Sequence, residues 1–200
     1  MTSPGPWDER YGTDEYVYGT APNDFLVEVA SMIPEGPVLS LGDGEGRNSV
    51  YLAALGHAVT AVDGSSVGLA KGQALAATRR VSVTAVCARL EDYVLPADHY
   101  AAVVSIFCHL PSALRREVHR RAARALRPGG VFILEAYGPR QLKLRTGGPG
   151  DVGLLPTLDA LRADFTDLEL VVGRELDRDV HEGKLHQGLS AVVQVVAKRA

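Results

Sequence analysis

Two hundred residues with 46% hydrophobic content suffice for one core of ordinary size, so the chain reads as an N-terminal arm, 1–21, and a single domain, 22–200. A net charge of −3 offers no overall attraction to polyanions, which disfavours nucleic acid and favours a small-molecule partner; oligomeric state is not readable. Cys87 and Cys108 lack metal-knuckle spacing and disulfide density, "MTSPGPWDERYG" has no basic-then-apolar leader, and no run approaches the ~18 apolar residues of a membrane span, so the expectation is a cytoplasmic, metal-free protein without membrane contact.

The arm is rich in Gly, Pro, Tyr and charge and reads as irregular. "APNDFLVEVASMIP" is a helix with Pro22 and Asn23 near its start and Phe25, Leu26, Val29 and Ile33 at helical spacing. "PVLSL" is a strand, "GDGEG" a loop, and "RNSVYLAALG" a helix closed by Gly56. "HAVTAVD" and "VSVTAV" are strands around the helix "SSVGLAKGQALAATRR"; "YAAVVSIF" and "VFILEAY" are strands around the helix "PSALRREVHRRAARAL". These continuous apolar runs predict strands buried on both faces, and their alternation with helices predicts a parallel sheet. "LRTGGPGDVG" is a loop, with the glycines of a hinged lid or of an ordinary turn, and "TLDALRADF" is a helix. "LELVVGRELDRDV" and "LSAVVQVVAK" are strands whose short connection, "HEGKLHQG", permits only an antiparallel hairpin. The fold class is α/β: a Rossmann-like, doubly wound, mostly parallel sheet of seven strands.

In such sheets ligands sit at the carboxyl ends of the strands, which places the glycine loop at the site. Its spacing is G-x-G-x-G; Arg47 stands where a dinucleotide fingerprint has its third glycine. Asp43 and Glu45 would each repel a pyrophosphate by roughly 1 kcal/mol at ~4 Å even in water. They suit instead a ligand with a sulfonium and an ammonium. Asp63, ending the second strand, is placed to accept ribose hydroxyls, a role an NAD enzyme would share; the alternative is a turn residue or helix cap before "SS".

"VLSLGDGEGRNSVYLAALGHAVTAVDGSSVGL", "ARALRPGGVFILEAY" and "YGTAPNDFL" resemble the class I S-adenosylmethionine (SAM)-dependent methyltransferases, and within them the tellurite-resistance and thiopurine methyltransferase-like group. The resemblance implies SAM as cofactor, with Gly42, Gly44 and Gly46 admitting it to the backbone, Asp63 on the ribose, Arg89, Leu90 and Glu91 around the adenine, and Ser105 beside the sulfonium. Arg10 and Tyr18 in the arm would hold the carboxylate or cover the site. Ser40 stands where many relatives have an acid, and Asp43 or Glu45 is expected to replace it.

For the acceptor, a thiol or chalcogen needs little more than partial deprotonation, whereas a hydroxyl or ammonium needs a base. "SIFCHLP" lacks the Asn/Asp-Pro-Pro-aromatic motif of amino-methylating families, and His109 there is either a base or a neighbour of a Ser112 helix cap. Glu135 and Tyr137 end the fifth strand near the cleft, and His181, Glu182 and His186 are expected to reach it if the hairpin's first strand runs parallel to the sheet; a solvated tip is the alternative. The arginines of "RREVHRRAARALR" read as the solvated face of an amphipathic helix. The leading reading is methyl transfer to a small soft nucleophile; methylation of another metabolite or RNA, an NAD-dependent oxidoreductase and a non-catalytic SAM-binding regulator are the alternatives.

Overall fold

The computed structural model describes residues 5–200. A seven-stranded sheet carries the molecule, with spatial order β3-β2-β1-β4-β5-β7-β6. The strands are β1 (Val38–Leu41), β2 (Val59–Asp63), β3 (Val83–Cys87), β4 (Tyr100–Ile106), β5 (Leu126–Tyr137), β6 (Glu169–Glu182) and β7 (His186–Lys198). β1 to β5 pair in parallel, and β7 is antiparallel to both β5 and β6. β6 therefore points the same way as the parallel set, and the hairpin tip emerges at their carboxyl ends. This is the α/β fold expected from the apolar runs.

Helices α2 (Asp24–Val29), α3 (Arg47–Ala54), α4 (Ser66–Arg79), α5 (Ser112–Ala125), α6 (Gln141–Leu144) and α7 (Leu158–Asp164) join or flank the strands. β1 and β4 are buried along their whole length, as strands covered on both faces must be. Two apolar clusters form the core on either side: Phe25, Leu26, Leu52 and Ile133 in one, and Leu39, Phe132, Leu161 and Phe165 in the other. Asn23 caps α2 by accepting the Leu26 N–H at 2.9 Å. Gly56, in left-handed backbone just past α3, terminates it as expected.

Several boundaries differ from expectation. The arm is not irregular throughout, because Pro6–Tyr11 forms a one-and-a-half-turn helix, α1, started by its proline; residues 1–4 of the arm lie outside the described residues. The hairpin is tighter: β6 and β7 pair through Glu182↔His186, leaving only Gly183, Lys184 and Leu185 as the turn. Ser112 is the first residue of α5 and Pro111 takes the cap position, so no serine cap exists there. The arginines of α5 divide: Arg116, Arg120 and Arg124 are exposed, whereas Arg115 is buried against Asp164 at 2.7 Å and Arg121 reaches the carbonyls of Leu90, Glu91 and Tyr93. Among the described residues no helix is long and apolar enough to cross a membrane, and no group of three or more His, Cys, Asp or Glu could hold a metal.

Candidate functional site

The loop from β1 to α3 lies at the carboxyl end of the sheet. Gly42, Gly44 and Gly46 all have φ between +58° and +87°, backbone that a side chain would strain. Their open faces meet different neighbours. A Cβ on Gly42 would lie 2.7 Å from the Cys108 Sγ, one on Gly44 2.6 Å from the Tyr11 Oη, and one on Gly46 2.5 Å from the Cα of Gly72. Gly46 is thus a packing glycine, letting α3 approach α4, while Gly42 and Gly44 lie against the side chains of Cys108 and Tyr11.

The three carboxylates of this region are held differently. Asp43 accepts Ser40 Oγ at 2.7 Å and Ser49 Oγ at 2.6 Å, so Ser40 and Asp43 act as one unit. Burial, aided by the charge of Asp63, raises the Asp43 pKa against the pull of those hydroxyls. Asp63 accepts the backbone N–H of Gly44 and of Ser65, each at 2.8 Å, and burial raises its pKa too. One lone pair per oxygen remains for a ligand. The cap role belongs instead to Ser65, whose Oγ accepts the Gly68 N–H.

Glu45 is committed elsewhere. Its carboxylate pairs with Lys71 at 2.5 Å and accepts the backbone N–H of Tyr18 at 3.1 Å. Lys71 in turn donates to the carbonyls of Tyr11, Thr13 and Glu15 at 3.3, 3.0 and 2.6 Å. Asp8 accepts Ser65 Oγ at 2.5 Å. These bonds lay residues 6–18 across the glycine loop, with the Tyr11 ring against Gly44 and Gly68. Tyr11 was not singled out by the sequence; "PWDERYG" gives only an aromatic-rich arm as its signal. Arg10 is exposed and reaches Tyr18 Oη at 3.2 Å.

Around the end of β4 five rings gather. Phe107, held at φ +51°, lies 4.5 Å from Tyr137 and 4.8 Å from His186 between ring centroids; Tyr18 lies 4.6 Å from His186. His109 stacks on Tyr137 at 5.6 Å, and its Nε2 accepts the Tyr137 backbone N–H at 3.1 Å. Burial lowers the His109 pKa to about 4 and the His186 pKa to about 3, so both are neutral at pH 7. With Nε2 occupied, His109 braces the ends of β4 and β5 and has no free nitrogen there to act as a base. Tyr137 Oη and His186 Nδ1 are buried with no hydrogen-bond partner. A Cβ on Gly147 would approach that Oη to 2.9 Å and the His186 ring to 3.2 Å, so this loop, which the sequence leaves as a lid or a turn, rests on the pair.

His181 is exposed, because alternation along β6 turns it away from the face that buries Glu182. Arg89 is exposed and paired with Glu91 through Nε at 2.7 Å, while Leu90 is partly buried. Ser105 is buried in β4, one residue before its end. Cys108 is a free thiol pushed up to about 12 by burial and by Asp63, which makes it no nucleophile at neutral pH.

Glu135 and Glu182 also belong to a buried ionic network whose pairing residue spacing does not reveal. Glu182 accepts Arg47 at 2.5 Å, Arg178 at 3.0 Å and Asn23 at 2.8 Å. Glu135 accepts Arg178 twice, at 2.8 and 2.7 Å, Asn23 at 2.5 Å and Gln194 at 2.6 Å. Arg47 in place of a third glycine was the available signal.

Residues 38–130 match a family model described as a methyltransferase domain. Over 119 residues the chain is 29% identical to the uncharacterized methyltransferase YodH of Bacillus subtilis (strain 168), a match covering 58% of this chain and 49% of that protein; it thus spans about half of its curated relative. Among solved structures it is similar to one from work on conversion of a disulfide bond into a thioacetal group during echinomycin biosynthesis, with TM-score 0.77, 20% identity, and 96% of this chain and 90% of that one covered. It is also similar to TehB from Haemophilus influenzae, with TM-score 0.73, 18% identity, and 97% and 66% covered. The two structures establish the fold. The matched segment is thus similar to a methyltransferase domain, and SAM is the cofactor that this similarity leads one to expect.

Proposed function

We propose that this methyltransferase domain binds SAM over the glycine loop and transfers its methyl group to a small soft nucleophile, a thiol or chalcogen species, by in-line displacement. The residues fit the cofactor: Gly42 and Gly44 present bare backbone, Asp63 keeps a lone pair on each oxygen for two hydroxyls, and Asp43 offers a carboxylate to an ammonium. Asp43 is the substitute for the acid missing at Ser40, since Glu45 is already neutralised by Lys71. An NAD-type pyrophosphate would meet these carboxylates unfavourably. When bound, SAM supplies an electrophilic methyl on a sulfonium.

The observation that carries the acceptor class is the lack of a free strong base among the described residues of the ring cluster. His109 is engaged by backbone, His186 is weakly basic, and Glu135 and Glu182 are locked to arginines. A soft nucleophile is the acceptor that needs least proton removal. Tyr137 Oη and His186 Nδ1, both buried without a hydrogen-bond partner on rings 5.2 Å apart, would orient it. Residues 1–21 would serve as an arm over this site; Tyr11 must shift for a cofactor to lie on Gly44.

The test is a methylation panel with thiophenol, 2-mercaptoethanol, selenite, tellurite and nucleosides. Turnover of a thiol or chalcogen, cut tenfold or more in kcat/KM by Tyr137→Phe or His186→Ala with SAM affinity retained, is the expected result. Turnover of nucleosides alone, or full activity in both variants, would refute the acceptor assignment.

A further inference from the structure

The glycine loop and the ring cluster come from distant parts of the chain, and one buried pair spans them. Arg47 is the first residue of α3, directly after the loop; Glu182 is the last of β6 and sits opposite His186 in the hairpin register. Both side chains are buried, and their atoms meet at 2.5 Å. The same carboxylate takes Asn23, which follows the arm, while Glu135, two residues before Tyr137 on β5, shares Asn23 and Arg178 with it. Every wall of the ring cluster except Phe107 and His109 is thus tied within a few residues to one network, in which two buried carboxylates meet two guanidiniums and the exposed Asp24 adds a contact to Arg178 at 3.3 Å.

A buried pair of this sort is costly to assemble, since the loss of hydration rivals the Coulomb gain, and a hydrophobic pair would hold the hairpin down as well. What an ion pair adds is direction: a guanidinium accepts a carboxylate only along its fork. We infer that Arg47 and Glu182 are positioning residues, fixing the hairpin tip that bears His186 to the helix that follows the glycine loop, so that acceptor and cofactor sites are held in one register. The role in turnover rests on the methyltransferase reading above; the role in placing His186 does not.

His186 is a reporter that needs neither cofactor nor acceptor. The charged and titratable groups around it are Arg47, Glu182, His109 and Arg10, with the rings of Tyr18, Phe107 and Tyr137 packed on it or on its neighbours. In the intact protein its ring should stay neutral down to about pH 3. The experiment compares wild type, Arg47→Met, Glu182→Gln and the double variant by NMR titration of the His186 ring and by calorimetry with SAM. Loss of the Arg47 charge alone raises the His186 midpoint and loss of the Glu182 charge alone lowers it, so Glu182→Gln is the decisive single variant: a freed tip should move the His186 midpoint up toward the ordinary value of ~6.5, against that direct effect. SAM affinity should change less than threefold, because Gly42, Asp43 and Asp63 are untouched.

The double variant leaves neither of those two charges unpaired and should fold even if a single variant does not; lacking the directional pair, it should keep the raised midpoint. A midpoint unchanged in the double variant would overturn the inference. So would a double variant that cannot fold, since the pair would then be a folding element. Wild type that fails to bind SAM would sink the methyltransferase reading while leaving the His186 result to decide the positional one.

Discussion

Asp43 and Glu45 are chemically near-identical neighbours in sequence, and their surroundings give them different work. Asp43 is held by two hydroxyls that leave its charge uncompensated, whereas Glu45 has an ammonium at 2.5 Å. Asp43→Asn should weaken SAM binding tenfold or more, about 1.4 kcal/mol. Glu45→Gln should instead loosen the arm, seen as faster proteolysis within residues 12–20. If both substitutions left SAM affinity within twofold, the role given to Asp43 would be wrong. The buried histidines make a second prediction. His109 has a native pKa of about 4 against ~6.5 unfolded, so the unfolded chain binds the extra proton between these values and native stability is lost as pH falls through that window. From pH 7.5 to 5 this single group costs roughly 2 kcal/mol. Asp43 and Asp63, with raised pKa values, act in the opposite sense, so the imidazole is isolated by difference: urea unfolding of His109→Asn should show a pH 7.5-to-5 loss about 2 kcal/mol smaller than wild type. The types and positions of these residues were legible in the sequence. The distant partners were not, because Lys71 and Tyr137 reach Glu45 and His109 across 26 and 28 positions of chain, and spacing carries no such information.

At the scale of elements, the apolar runs specified nearly every strand and helix, since burial on both faces leaves a pattern that loops do not imitate. Two failures share a physical cause. The arm helix α1 is too short for helical periodicity to register, and it is held by Lys71 and Ser65 rather than by its own propensity. The polar hairpin tip looked like a loop because half of its strand residues face solvent, while the inward half, Glu182 and His186, are polar groups satisfied or sheltered only in the folded protein. The α3–α4 contact yields a direct test. Gly46→Ala would place a methyl 2.5 Å from the Gly72 backbone at φ +87°, so overpacking and backbone strain together should cost about 2–4 kcal/mol in thermal or denaturant unfolding. A loss under ~0.5 kcal/mol would mean the two helices are free to separate.

Across the whole molecule, topology does the assembling. Because β1 to β6 share a direction and only β7 reverses, the glycine loop, the end of β4, the end of β5 and the hairpin tip all meet at one edge of the sheet, closed by the arm. The carboxylate-lined glycine loop is the part of the site most legible in the sequence, and the ring cluster with its ionic base the least. A loop of this charge should select a cationic, phosphate-free nucleoside cofactor, which isothermal calorimetry on the protein with SAM, S-adenosylhomocysteine and NADH can decide. SAM and S-adenosylhomocysteine should bind saturably, SAM more weakly as pH falls through the raised Asp43 pKa, and NADH should give no heat. Binding of NADH without binding of SAM would contradict this selection.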